Sequence, residues 1–378
     1  MSSAQDMAKD LQNVRGEYIF FAAYLQRDTE QENWDVNGQM LSNFLEALTI
    51  TGAVKDVKRI LLVTGAKQYG VHLGATKNPM LEDDEWLTGE DRPPNFYYNQ
   101  QNILHKFCKE HGIDWTVTYP NDVIGYAEGN FMNLGTAVGL YAAITKELGE
   151  DLVFPGSPDF YTRFDTFTSA KLHAKFCAWA ALDLRAANEA FNVVNGDVES
   201  WQNLWPKVAE YFGLKVKADQ FAGVAEKLQG EGKESGTVGK VAEYVGLKGA
   251  GKESSSVQKL AERPPIADTA DRLGLKGAPI TQQSRVEALV DLPAWSQRED
   301  VKAAWEKLAE REGLKKEALE GATWTFLGFV LGRNYDIVSS MSKARRAGWT
   351  GYEDTWESLK DVFAQLGEAG VLPKAMKA

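Results

Sequence analysis

The stretch that decides the fold is RILLVTG at residues 59–65, which continues as AKQYG through residue 70. Four apolar residues in a row before a Thr-Gly turn are typical of a strand that is covered on both faces of a parallel sheet. A dinucleotide-binding turn would need closely spaced glycines and a helix opening directly behind them. Gly65 and Gly70 are separated by Ala66–Tyr69, and the polar, proline-containing VHLGATKNPMLEDDEW follows. We therefore predict no helix and no pyrophosphate turn here.

Outward from this strand, short apolar runs alternate with segments of helical periodicity up to about residue 215. This alternation is the pattern of strands joined by crossover helices, so it predicts an α/β domain with a parallel sheet. The first predicted helix begins at about Asn37, and three further helices cover residues 95–112, 131–149 and 169–184. The predicted strands are YIFFAAYL (18–25), RILLVTG, WTVTYP (115–120), DLVFPG (151–156) and EAFNVVNG (189–196).

The composition changes beyond this region. Residues 217–298 are rich in Gly, Lys, Glu and Ser, and GKES occurs at both 232–235 and 251–254 without the third copy that a solenoid would need. A helical tail follows, with several tryptophans in segments such as ATWTFLGFVLG (322–332) and DTWESLKDVFAQLG (354–367). Aromatic residues at helical spacing indicate a buried core rather than a pocket.

Charge and composition exclude several classes of partner. The 378 residues carry a formal net charge of −11, and basic residues are not clustered, so we expect no nucleic-acid surface. No run approaches the about 18 apolar residues of a membrane span, and the first residues lack the pattern of a secretory signal. Two cysteines and four histidines without metal-ligand spacing predict neither disulfides nor a metal site. These features favour a globular protein of the cytoplasm.

One lysine and two tyrosines are candidates for chemistry. Lys67 follows the central strand, at the edge where open α/β sheets bind ligands. Tyr97 and Tyr98 lie at the start of a predicted helix, where the positive end of the dipole favours a phenolate and can lower a tyrosine pKa. Such a pair can donate a proton or stabilise an oxyanion while hydride arrives from a nicotinamide. The alternative interpretation is a surface lysine beside two packed tyrosines.

Five segments together carry a family resemblance. VTGAKQYG, PPNFYYNQQNIL, WTVTYPNDVIGYAEGNFMNLGTAVGLYAAI, NEAFNVVNGDVESWQNLWPKVAEYFG and the tail TWTFLGFVLGRNYDIVSSMSKARRAGWTGYEDTWESL resemble the progesterone 5β-reductase and iridoid synthase-like (PRISE) family of atypical extended short-chain dehydrogenases/reductases. The resemblance spans nearly the whole chain and is weakest over residues 217–298. It implies a partial NAD(P)-binding Rossmann-like domain at residues 1–200 and a mostly helical substrate-binding region at residues 201–378.

The resemblance also implies an activity and its residues. The family reduces the carbon–carbon double bond of an enone with NADPH, so a small-molecule enone is the expected substrate, and the assembly is left open between a single chain and a homodimer. The catalytic lysine falls on Lys67 and the catalytic tyrosine on Tyr97, with Tyr98 as the alternative one place away. Residues implied to contact the cofactor are Ala22, Ala23, Tyr24, Thr64, Lys67, Pro120 and Val123, and those implied to line the substrate are Met132, Trp324 and Phe326.

Two departures from the family pattern complete the prediction. Gln101 and Asn102 stand where the family has Glu-Asp. Family members also begin with a strand, a glycine-rich turn and a helix, whereas YIFFAAYL matches their fourth strand and no glycine pair of the required spacing precedes it. We therefore expect a chain that lacks the first βαβ unit, either an N-terminally shortened form of an active reductase or a catalytically impaired protein that binds a ligand or a partner.

Overall fold

The centre of the fold is a four-stranded parallel sheet. The computed structural model describes residues 2–89, 92–127, 132–221 and 288–374. The sheet has the strand order β1-β2-β3-β6, built from β1 (Tyr18–Phe21), β2 (Arg59–Val63), β3 (Asp114–Pro120) and β6 (Glu189–Val193). All pairings are parallel, so every strand ends at one edge, called here the carboxyl edge. The short strands β4 (Val123–Ile124) and β5 (Thr168–Ser169) pair with each other.

Helices cover both faces of this sheet. Successive side chains of a strand point to opposite faces, so Ile60 and Leu62 of β2 pack beneath one layer of helices and Leu61 beneath the other. The first layer is α2 (Glu30–Ile50) and α3 (Phe96–His111), with α1 (Ala4–Asp10) packed against α2. The second layer is α6 (Ala170–Leu182). Burial on both faces explains why β2 reads as an unbroken apolar run.

A separate helical core lies beside the sheet. Its largest buried side chains include Phe154, Trp201 and Trp205, and Trp295, Trp305 and Trp324 of the tail join them. This core draws on residues before and after position 200, because α4 and α7 pack against the tail helices. The helices of this core are α4 (Leu134–Glu147), α5 (Pro158–Thr162), α7 (Trp201–Phe212), α8 (Leu292–Ser296), α9 (Glu299–Glu312), α10 (Ala318–Gly321), α11 (Trp324–Leu331) and α13 (Thr355–Glu368). The short helix α12 (Ser342–Arg346) packs against β6 instead.

The predicted α/β architecture is confirmed, with differences in detail. The helix expected from about Asn37 begins at Glu30, because Thr29 and Glu32 form a capping box that starts α2 earlier. Strand β1 ends at Phe21, so residues 22–25 leave the sheet. Residues 222–287, most of the segment that we singled out at 217–298, lie outside the described residues. Within the described residues, no helix is long and apolar enough to span a membrane.

The strand predicted at DLVFPG is wrong. Leu152 makes only an isolated bridge with Val216, and the segment joins neither sheet. Leu152 and Phe154 are buried in the helical core, which accounts for the apolar pattern. The N–H of Phe154 donates to the side chain of Gln220 at 2.8 Å, and Pro155 has no N–H to give a ladder. A short apolar run does not distinguish a strand from a buried loop.

Candidate active site

The turn after β2 brings a tyrosine onto the carboxyl edge. Thr64 and Gly65 leave the strand, a single 3-10 turn follows at Ala66–Tyr69, and Gly70 ends it with φ of +77°. A Cβ placed on Gly65 would lie 3.1 Å from the hydroxyl of Tyr97 and 3.3 Å from the carbonyl oxygen of Pro120. The phenol of Tyr97 therefore lies across Gly65, beside the last residue of β3. As predicted, no α-helix opens behind these glycines.

Asn95 fixes the start of α3 against this turn. Its side-chain oxygen accepts the N–H of Tyr97 at 3.1 Å, and its side-chain amide donates to the carbonyl oxygen of Lys67 at 2.8 Å. The same residue thus caps the helix and joins the two predicted catalytic positions.

Tyr98 has a different environment from its neighbour. Its hydroxyl donates to the carbonyl oxygen of Gln68 at 2.7 Å and accepts the N–H of Leu87 at 3.0 Å. Its ring stacks on Trp86, with the centroids 4.6 Å apart. The phenol of Tyr98 is therefore engaged within the protein, which favours Tyr97 as the tyrosine of the site.

Lys67 forms an ion pair that the sequence did not reveal. Its Nζ lies 2.5 Å from both carboxylate oxygens of Glu30, the first residue of α2. The side chain of Glu30 is 2% exposed and that of Lys67 19%. The ammonium also lies 5.1 Å from the ring centroid of Phe96. Burial lowers the pKa of Lys67, and the Glu30 carboxylate opposes that change.

The pKa of Tyr97 moves in the direction opposite to our expectation. Burial raises it, and the nearby negative charge of Glu30 raises it further. The predicted lowering by the helix dipole is wrong, because removing a phenolate from water costs more free energy than the partial charge of one helix end returns. Tyr97 is therefore a protonated hydroxyl at neutral pH, able to donate a hydrogen bond.

His72 is a further polar group beside Lys67. Its Nδ1 atom is buried without a hydrogen-bond partner in the described part of the chain. Burial, and then the positive charge of Lys67, hold the pKa of His72 well below its ordinary value. The ring is consequently neutral. No spacing rule in the sequence points to this position.

The residues implied to contact a cofactor gather at the carboxyl edge. Ala22 and Ala23 are exposed where the chain leaves β1, and the ring of Tyr24 stacks on Phe96 with the centroids 5.2 Å apart. Thr64 donates its hydroxyl to the carbonyl oxygen of Thr118 at 3.0 Å. Pro120 ends β3 and Val123 is exposed on β4.

The three residues implied to line the substrate have separate environments. Met132 is partly exposed just before the cap of α4. Trp324 is 6% exposed within the helical core, and its indole N–H donates to the carbonyl oxygen of Leu319 at 2.9 Å. Phe326 is partly buried against the same core. Trp324 is thus packed in the core, as the sequence predicts for the tail aromatics, and contact of these three residues with a substrate stays a prediction.

A buried charge cluster follows β3 directly. The guanidinium of Arg333 pairs with Asp122, at 2.5 Å and 3.1 Å, and lies 3.7 Å from Asp165. All three side chains are less than a tenth exposed. Asp122 adopts φ of +32°, uncommon for a residue with a side chain. Burial and the neighbouring Asp122 hold the pKa of Asp165 well above its ordinary value. The cluster ties the turn after Pro120 to the segment after α11.

The C-terminal segment also braces the loop that follows the Lys67 turn. The hydroxyl of Tyr335 donates to the carbonyl oxygen of Val71 at 2.6 Å. Met80 donates its N–H to Val338 at 2.7 Å and accepts that of Ser340 at 3.0 Å. The turn that carries Lys67 is therefore supported from the far end of the sequence.

The fold and the comparisons place the chain in a class. A parallel sheet with helices on both faces defines a Rossmann-like protein, here of the short-chain dehydrogenase/reductase type. The terminal R domain of the myxalamid PKS-NRPS biosynthetic pathway has a similar fold, with a TM-score of 0.51 and 12% identity over 99% of this chain and 74% of that chain. The sequence profile of the PRISE-like Rossmann-fold domain matches residues 3–256. The protein belongs to the PRISE-like family.

Relatives in three organisms are similar to the chain. An uncharacterized protein of Schizosaccharomyces pombe is 37% identical over 98% of this chain and 85% of its own length. A (S)-8-oxocitronellyl enol synthase of Nepeta racemosa is 37% identical over 58% of this chain and 57% of its own. The 3-oxo-Δ4,5-steroid 5β-reductase of Arabidopsis thaliana is 33% identical over 61% of each.

Proposed function

We propose that the protein is an NADPH-dependent reductase of the carbon–carbon double bond of a small enone, with Lys67 and Tyr97 at the reacting centre. The observation that carries the proposal is the position of the Tyr97 hydroxyl beside Gly65 at the carboxyl edge, with Asn95 joining the backbones of Lys67 and Tyr97. The name of the Arabidopsis relative describes reduction of a 3-oxo-Δ4,5-steroid, which is an enone, and the name of the Nepeta relative describes an enol product.

The described residues fit the nicotinamide end of such a cofactor. The edge has little side-chain bulk at Ala22, Ala23 and Gly65. A Cβ on Gly65 would fill the space beside the Tyr97 hydroxyl. Lys67, partly exposed beside them, has one N–H group left by its ion pair with Glu30 for a hydroxyl or the carboxamide. The bound cofactor would supply hydride to the β-carbon of the enone. The fit is limited to this end, because no glycine pair of dinucleotide spacing occurs in residues 1–60.

The side chains at the edge account for the rest of the reaction. As hydride reaches the β-carbon, the electron pair of the double bond moves toward the carbonyl and negative charge develops on its oxygen. Tyr97, kept protonated by burial, donates a hydrogen bond to that oxygen. The Lys67 ammonium adds a positive charge beside it. A proton taken up from solvent at the α-carbon of the resulting enolate completes the saturated ketone.

Loss of NADPH absorbance with a panel of simple enones tests the proposal. Tyr97→Phe removes the donor and should lower kcat/KM by about 10²–10⁴-fold. Tyr98→Phe is the matched control, because the Tyr98 hydroxyl forms hydrogen bonds with the backbone of Gln68 and Leu87. This variant should retain turnover. Full activity of the Tyr97 variant would refute the role of that residue.

A ligand-binding protein without turnover is the second candidate. It is favoured by the engagement of both Glu30 oxygens with the Lys67 ammonium. Titration calorimetry of this chain with NADPH separates the two candidates. Micromolar binding together with turnover excludes the second, whereas binding of an enone alone, without NADPH, supports it.

A further inference from the structure

We infer that Glu30 is a positioning residue of the candidate active site, which aims the Lys67 ammonium and keeps it charged. The inference rests on the proposed function for its catalytic meaning, although the ion pair itself is a feature of the fold. Glu30 lies outside the Lys67 turn, 37 residues earlier in the chain. Neither the family resemblance nor the sequence motifs assign it a role.

Three features of Glu30 show that the contact is built into the fold. Its carboxylate is buried, and both oxygens lie 2.5 Å from Nζ of Lys67, so the ion pair is bidentate. It is the first residue of α2, and the capping box of Thr29 and Glu32 fixes the helix start around it. The partial positive charge at this helix end attracts a carboxylate placed there.

The ion pair with Glu30 also determines how many hydrogen-bond donors of Lys67 remain for other contacts. Two of its three N–H groups meet the carboxylate, and the third remains for a ligand at the carboxyl edge. The ring of Phe96 flanks the ammonium, and the ring of Tyr24 stacks on Phe96 in turn. The Lys67 ammonium is therefore held by the Glu30 carboxylate and flanked by the Phe96 ring.

The charge of Lys67 depends on Glu30 because the other titratable groups of the site are neutral. Burial alone would drive the lysine toward its uncharged form, and Glu30 is the group whose charge opposes this. His72, from the loop after β2, is neutral because burial and Lys67 lower its pKa. Tyr97, from α3, is neutral because burial and Glu30 raise its pKa.

The ionisation of Lys67 in Glu30→Gln tests the inference without reference to turnover. Competitive acetylation with acetic anhydride at a series of pH values, read by peptide mass spectrometry, gives the titration midpoint of this lysine. Loss of an opposite charge at contact should lower the midpoint by about 1–3 pH units. Glu32→Gln, two residues further along the same helix start and exposed, removes an equal charge and should leave the midpoint unchanged. A Glu30→Gln midpoint within about 0.3 units of wild type, or an equal shift in Glu32→Gln, overturns the inference.

Two further measurements cover the other outcomes. If enone reduction is observed, the alkaline limb of the kcat/KM profile should move to lower pH in Glu30→Gln in step with the acetylation midpoint. An unmoved limb beside a shifted midpoint refutes the role of Lys67 in the reaction but not the ion pair.

If Glu30→Gln is too unstable to study, Glu30→Gln with Lys67→Met should recover most of the lost Tm, because both buried charges are then absent. A double variant no more stable than Glu30→Gln alone overturns the inference.

Discussion

Replacing Arg333 with methionine should destabilise the whole fold, although the methionine side chain fills most of the space that the arginine occupied. Arg333 is 3% exposed and is the cation facing Asp122 and Asp165, which are themselves buried. The variant leaves two carboxylates in the interior without their counter-charge, and removing one partner of such a pair costs about 3–5 kcal/mol. With an unfolding entropy of about 2 cal/mol/K per residue, Tm should fall by about 4–6 °C.

The pH dependence of that loss provides a second signature. The pKa of Asp165 is already well above its ordinary value, and the guanidinium is the main group that opposes the rise. Without Arg333 the Asp165 carboxyl binds a proton more readily, so the loss of stability should shrink as pH falls toward about 4. Urea denaturation at several pH values measures both effects.

A surface ion pair serves as the matched control. Arg163 lies 3.5 Å from Asp336, and its side chain is 47% exposed. Arg163→Met should cost less than about 1 kcal/mol at every pH, because an exposed pair contributes little. If Arg333→Met loses no more stability than this control, the cluster does not anchor the turn after β3, and the reasoning fails.

Three other substitutions test separate features. Gly156→Ala would place a methyl group 2.1 Å from the carbonyl oxygen of Leu331, so the backbone must move; we expect a loss of about 1–3 kcal/mol in thermal denaturation, and an unchanged Tm would contradict the packing. Gly65→Ala has no backbone strain but displaces the Tyr97 hydroxyl, so NADPH-dependent turnover should fall at least tenfold, about 1.4 kcal/mol, while Tm changes little. Asp165→Asn removes an acid whose pKa is raised on folding. Wild-type stability should therefore decline as pH rises above about 4, and the variant should show a flatter pH profile in urea denaturation.

Local patterns in the sequence were sufficient to predict most strands of the sheet. The run in β2 and the helix that begins after Asn95 were predicted correctly, because burial on both faces and a capped, periodic helix leave local traces. The early start of α2 was also encoded, in the capping box of Thr29 and Glu32, and reading it would have placed Glu30 just beyond the end of β1.

The surroundings of the candidate site could not be predicted in the same way. Whether Glu30 meets Lys67 depends on how α2 docks on the sheet, and no spacing rule encodes that. Arg333 reaches Asp122 across 211 residues of sequence. The sign of the Tyr97 pKa shift followed from burial, which a local argument from the helix dipole does not contain.

The brace between Tyr335 and Val71 has a consequence for synthesis of the chain on the ribosome. The two residues are 264 positions apart. At about 5–20 residues per second, roughly 13–50 s pass between the emergence of the loop and that of its partner. During that interval the strands β1, β2, β3 and β6 can already pair, whereas the Lys67 turn lacks its support from Tyr335. A nascent chain that stops before the last 44 residues therefore carries the four strands β1, β2, β3 and β6 and an unfinished site.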